Sequence, residues 1–85
     1  MPKTKLTDAG VKRYGAPAEG RTEYFDTVLP AFGLRITEKG AKSWFVFYRH
    51  GGRQRRMTLG RYPAVSLADA RKAARAAQEA VAREG

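Results

Sequence analysis

The sequence predicts an α+β domain: a three-stranded antiparallel sheet packed on a C-terminal helix, with a short N-terminal helix ahead of it. Three observations carry this. Between Gly33 and Leu59, three runs rich in β-branched, aromatic and long side chains follow one another at hairpin spacing. The last two runs are joined by Gly51-Gly52 alone, and two glycines supply the positive φ angles of a primed turn, which matches the twist of paired strands. From Leu67 to Arg83 the residues are mostly Ala, Arg, Lys, Gln and Glu, all strong helix formers.

In chain order, Thr7 can cap a helix over Asp8 to Tyr14, with Asp8 in the first turn complementing the helix dipole. Gly15, Pro17 and Gly20 break the periodicity and mark a loop. Thr22 to Asp26 reads as a short edge strand, and Leu29 to Phe32 leads into the sheet. The first strand runs from Gly33 to Glu38 and ends at the Lys39-Gly40 turn, the second from Ser43 to His50, and the third from Arg53 to Leu59, with Gly60, Tyr62 and Pro63 closing the sheet. Ser66 stands at an N-cap, with Asp69 three residues on in the capping-box position. Leu67, Ala70, Ala74, Ala77 and Val81 form a narrow apolar stripe on the helix, sending Arg71, Lys72, Arg75 and Glu79 toward water.

Eighty-five residues make one domain, spanning 1–85, with one modest core and no room for a deep substrate cavity, which argues against an enzyme contained in this chain. Without cysteine there is no disulfide, His50 is the only histidine, and no metal or other cofactor is implied. No apolar run of signal-peptide or membrane-span length is present, so the chain reads as soluble and cytoplasmic, with no membrane partner.

Charge is concentrated. Eight of the seventeen Lys and Arg lie between Arg35 and Arg61 with Glu38 as the only acid, so this stretch holds +7 of the net +9. A positive field on one rigid element attracts a polyanion.

Strand alternation assigns the faces. Leu34 and Ile36 go toward the helix, as do Met57 and Leu59; Arg53 and Arg55 share that parity but sit near the hairpin tip. In the middle strand both sets begin with large apolar groups, and Trp44, Val46 and Tyr48 are placed inward because Arg49 then joins Arg35 and Arg56 outside. The outward set is Arg35, Thr37, Phe45, Phe47, Arg49, Gln54, Arg56 and Thr58, an exposed aromatic centre ringed by cations. The alternative is that Leu6 to Phe32 folds back over Phe45 and Phe47. Three strands span about 10 Å between outer axes against a major groove about 12 Å wide. Arg, Gln, Phe and Thr can all contact base edges there, while Lys39, Lys42, Arg53, Arg55 and Arg61, near turns and edges, suit phosphates.

The string Thr58 to Arg71 (Thr-Leu-Gly-Arg-Tyr-Pro-Ala-Val-Ser-Leu-Ala-Asp-Ala-Arg) resembles the signature of the N-terminal arm-type DNA-binding domain of phage-like tyrosine recombinases, the integrases. Leu6-Thr7-Asp8, Val11-Lys12, Tyr24, Asp26, Gly33 to Ile36, Gly40, Lys42 to Phe45, Tyr48-Arg49 and Gly52-Arg53 follow that family's pattern in the same order. The resemblance implies a sheet that binds double-stranded DNA at arm-type sites flanking a crossover, in a bacterial cell, for integration or excision of a mobile element. It also implies core-binding and catalytic domains elsewhere in the parent integrase, which join its other protomers as partners. Gly85 reads as a boundary within that longer protein, and no tyrosine here receives a catalytic role. Phe47 departs from the family, where a polar or basic side chain is frequent. Two other readings are a protein-interaction domain docking through the aromatic patch and a single-stranded nucleic-acid binder stacking bases on Phe45, Phe47 and Tyr48.

Overall fold

Apolar alternation in the middle of the chain builds one sheet, which is larger than the sequence predicts. The computed structural model describes residues 3–84; Gly85, read above as a boundary, lies outside them. The elements are β1 (Lys3–Thr4), α1 (Asp8–Arg13), β2 (Arg21–Asp26), β3 (Phe32–Thr37), β4 (Lys42–His50), β5 (Arg53–Tyr62) and α2 (Leu67–Glu84). The sheet has five strands in the order β1-β2-β3-β4-β5. β2 to β5 form an antiparallel meander, and β1 adds a parallel pair, Lys3 opposite Phe25 and Thr4 opposite Asp26. The expected three-stranded antiparallel sheet is thus the centre of a five-stranded mixed one. β2 is the expected edge strand, extended back to Arg21 and displaced from the edge by β1, which is two residues long and offers no periodicity to read.

The firmest local expectations hold. Gly51 and Gly52 have φ of 61° and 77°, the two positive values of a primed turn, and set His50 opposite Arg53. Thr7 Oγ1 accepts from the Gly10 amide at 3.0 Å and Ser66 Oγ from the Asp69 amide at 3.2 Å, capping the two helices. β5, however, runs three residues past its expected end. Trp44 pairs with Gly60 and Phe45 with Thr58, so Leu59 is an extra residue in a bulge, and the strand resumes to Tyr62. Gly60 makes this possible: its φ is 144°, and a Cβ there would lie 2.5 Å from Val65 Cγ2.

One face of the sheet holds the core. Phe32, Leu34, Ile36, Trp44 and Val46 are fully buried there, under Leu67, Ala70 and Ala74 of α2 and beside Leu6, Val11 and Leu29 from the N-terminal third. Alanine at the contact lets the helix approach closely, as its stripe predicts. The Trp44 indole donates to the Val65 carbonyl at 2.8 Å, so its single polar atom is satisfied inside the core, and its ring stacks on Phe32 at 5.6 Å.

Asp26 ties these parts together. It is a buried carboxylate that accepts from the Leu6 amide at 3.1 Å, the Val28 amide at 3.2 Å and Arg71 Nε at 3.0 Å. Arg71 also donates to the Leu6 carbonyl at 2.7 Å. The helical pattern sends Arg71 toward water on the polar side of α2; instead it crosses to the sheet, because a buried carboxylate needs a charged partner more than a long side chain needs solvent. Lys42 is likewise diverted from the phosphate role expected of it, since its ammonium donates to the Val11 carbonyl at 2.7 Å and cancels the negative end of α1.

Burial pushes the Asp26 carboxyl up, but the Arg71 hydrogen bonds, the two amides and the arginine's charge together bring it below the ordinary aspartate value. Because the native value lies below the unfolded one, this stabilisation is complete above the unfolded pKa and is lost as pH falls through the native pKa. Arg71→Ala should lower unfolding free energy by about 3 kcal/mol at neutral pH, since it strands a buried charge. In urea titrations at several pH values, Asp26→Asn should be less stable than wild type at pH 7, with the gap narrowing as pH drops below about 4. A gap that stays constant into strong acid would refute this role for Asp26.

Candidate nucleic-acid interface

The second face of the sheet carries no helix, and strand register places its side chains in rows. Nearest the β3–β4 turn are Arg21 and Thr37. The next row is Glu23, Arg35, Ser43 and Arg61, followed by Phe25, Gly33, Phe45 and Thr58, then Phe47 with Arg56, and finally Arg49 with Gln54 near the hairpin tip. Lys3, opposite Phe25, extends the third row onto β1. The face therefore holds six cations, Lys3, Arg21, Arg35, Arg49, Arg56 and Arg61, against one acid, Glu23. All eight residues of the expected outward set lie on it. Arg53 and Arg55 emerge on the helix side, opposite His50 and Tyr48, and are exposed at the tip.

The centre of this face differs from the expectation of an exposed aromatic patch. Phe45 is 1% exposed. Gly33 beside it has no side chain, so the rings of Phe25 and Phe45 close over it edge to face at 5.5 Å, and a Cβ on Gly33 would meet the Phe45 ring at 2.7 Å. Phe47 packs against both rings, with centroids 5.5 Å from Phe45 and 6.0 Å from Phe25. Above them lies Arg56, whose guanidinium carbon is 4.3 Å from the Phe45 centroid and 5.1 Å from that of Phe47. The fold-back alternative is thus met in part: Phe25 from the N-terminal half helps cover Phe45, while Phe47 stays half-buried and Arg49 exposed. Leu6, Val11 and Leu29 go to the other face.

Arg56 reaches diagonally from β5 to β2, where its Nη2 pairs with Glu23 Oε2. Arg35 Nε lies 3.7 Å from the same oxygen. Sequence reasoning missed Glu23 entirely, although its parity with Phe25 could have put it on this face. It missed Arg21 as well. Arg21, Arg35, Lys39 and Arg61 line an open concavity together with Thr37, Ala41 and the acid Glu38, a local excess of positive charge at one end of the face. Thr37 Oγ1 there accepts from the Ala41 amide at 3.2 Å, so its hydroxyl already serves the β3–β4 turn.

A rigid, helix-free face with six cations and a single paired acid is suited to a polyanion. The family model for the arm DNA-binding domain matches residues 6–85. The chain belongs to that family. Among curated proteins none gives a significant match. The arm domain is a DNA-binding module of integrase type and is not itself catalytic. The described residues contain no His, Cys, Asp or Glu cluster able to hold a metal, and none of their helices is long and apolar enough to cross a membrane.

The two phenylalanines of β4 therefore do different things in the arm domain. Phe45→Ala should destabilise it by about 3–4 kcal/mol, as for a fully buried ring, whereas Phe47→Ala should cost about 1 kcal/mol. Thermal or urea unfolding of the two variants decides this, and equal losses would mean that Phe45 is not the buried support of the face.

Proposed function

We propose that the arm domain binds double-stranded DNA sequence-specifically, laying its helix-free sheet face in the major groove, and so positions a phage-like tyrosine recombinase on arm-type sites during integration or excision. The observation that carries this reading is the six-to-one balance of cations over acid on that face. β3, β4 and β5 span about 10 Å and fit a groove about 12 Å wide. β2 then lies at the groove wall, where Arg21 faces phosphates. Arg35, Arg49, Gln54, Arg56 and Thr58 are the base-reading candidates. Lys39, Arg53, Arg55 and Arg61 fix register on the backbone. Phe45 supports the surface from below, and Phe47 and Thr37 complete it.

In this reading residues 1–85 are one arm-type domain of a longer integrase working in a bacterial cytoplasm on nucleoid DNA, with the parent's core-binding and catalytic domains and its other protomers as further partners. The cover over Phe45 counts against both alternatives that need an open aromatic patch, since Phe45 is closed off, Phe47 is half-buried, and Tyr48, also half-buried, lies on the other face of the sheet.

With about five phosphates neutralised, log K for duplex DNA should fall against log salt with a slope near −4.5. Arg49→Ala and Arg56→Ala should each weaken binding to a selected duplex by about 1–3 kcal/mol. Arg75→Ala, on the exposed side of α2, should change it little. Fluorescence anisotropy measures all three, and an amide-shift titration in which α2 moves while β3 to β5 stay still would overturn the reading.

A further inference from the structure

Among the described strand residues, Glu23 is the only acid that register places on the helix-free face, and its side chain is 10% exposed. A carboxylate in the middle of a polyanion-binding surface weakens attraction for every sequence alike. Its contacts show what it supplies in return. Arg56 spans the sheet from β5 to β2, and its guanidinium is held from two sides: by the Glu23 carboxylate at its end and by the rings of Phe45 and Phe47 beneath it. Arg35, across from Glu23 in register, shares the same oxygen at 3.7 Å. A free arginine on a strand keeps several rotamers and can meet phosphates in many registers. One held from below and at its end presents the N–H groups of its outer edge in one orientation, with Nε buried beneath, and the entropy of ordering it is already spent before DNA arrives.

We infer that Glu23 is a specificity-determining positioning residue of the DNA-binding face: by holding Arg56 over Phe45 it widens the difference between preferred and random duplex, while its charge lowers affinity for every duplex equally. This rests on the reading of the face given above. Removing Glu23 has two separable effects. Loss of the charge raises affinity for any duplex. Loss of the anchor frees Arg56 and lowers discrimination.

The test begins with a duplex selected by the wild-type chain from a random-sequence pool, and a scrambled duplex of the same composition. Glu23→Gln should bind the scrambled duplex about fivefold more tightly at low salt, steepen the salt slope by about 0.9, and lower the selected-to-scrambled ratio about tenfold. Glu23→Asp keeps the charge but is too short to hold Arg56, so it should lower the ratio without steepening the slope. In an Arg56→Ala background Glu23→Gln should leave the ratio unchanged, because the anchor acts through that arginine. In the free wild-type chain, ¹⁵N relaxation should report the Arg56 Nε–H as ordered and that of Arg49 as mobile, a measurement that needs no variant to fold. An unchanged ratio in Glu23→Gln, or an Arg56 side chain as mobile as Arg49, overturns the inference and leaves the proposed function standing. A wild-type chain with no preference between the two duplexes overturns both.

Discussion

Asp26 decides which face of this sheet is left bare. One buried carboxylate collects the amides of Leu6 and Val28 and the guanidinium of Arg71, and Arg71 returns a hydrogen bond to the Leu6 carbonyl, 65 positions away in sequence. The N-terminal segment and the C-terminal helix are thereby fastened to the same side of the sheet. Hydrophobic burial alone does not dictate this, because both faces of β4 begin with large aromatic residues and either could attract a covering element. A buried charge is less tolerant than a buried ring: it demands a particular partner at a particular place. With Leu6 and α2 committed to the core side, the opposite face is covered, among the described residues, by the side chains of its own strands.

Those side chains solve a local problem. Three phenylalanines on an open sheet face would form an apolar patch prone to unwanted association. Gly33 lets two of the rings meet over the backbone, which buries Phe45 in a small second cluster, and Arg56 closes that cluster from above. The guanidinium is the right lid because its plane matches the ring and its edge stays polar. The surface presented to solvent is then an arginine with an aromatic layer under it, stiffer than a lone cation on a strand and wetter than an exposed phenylalanine.

Much of this was legible in the sequence. The parity of Leu34, Ile36, Trp44 and Val46, the Gly-Gly turn and both helix caps rest on rules that act within a few residues, and the structure keeps them. Placing Arg49 with Arg35 and Arg56 chose the correct face for Trp44, although both sets of β4 looked apolar. What escaped depends on contacts between distant segments. Arg71 sits on the polar side of the α2 pattern, and nothing near it in sequence announces Asp26. The bulge at Leu59 is one residue in a strand that otherwise alternates well. The burial of Phe45 is not legible there, because alternation assigns a face and is silent on whether a neighbouring strand, here β2 with Phe25, also covers it. Glu23 lies outside the basic stretch in sequence, and only the sheet brings β2 alongside it.

The basic stretch that first marks this chain as a binder of polyanions separates, once folded, into two populations. Lys42 is spent on the end of α1, and Arg35 and Arg56 are drawn to Glu23. Lys39, Arg49, Arg53, Arg55 and Arg61 form no ion pair among the described residues and stand at the tip, turn and edge. Their position has a further physical consequence. β5 is a ten-residue strand at the edge of the sheet, with no further strand paired along its outer side among the described residues. Such edges invite pairing with another chain unless charge or a bulge interrupts them. Here Arg53, Arg55 and Arg61 supply the charge and Leu59 the bulge. Like charges brought together by two such edges repel, whereas a phosphate backbone laid along the same edge is attracted. One arrangement of arginines therefore disfavours self-association and favours the polyanion, and the strand can remain open without being adhesive to its own kind.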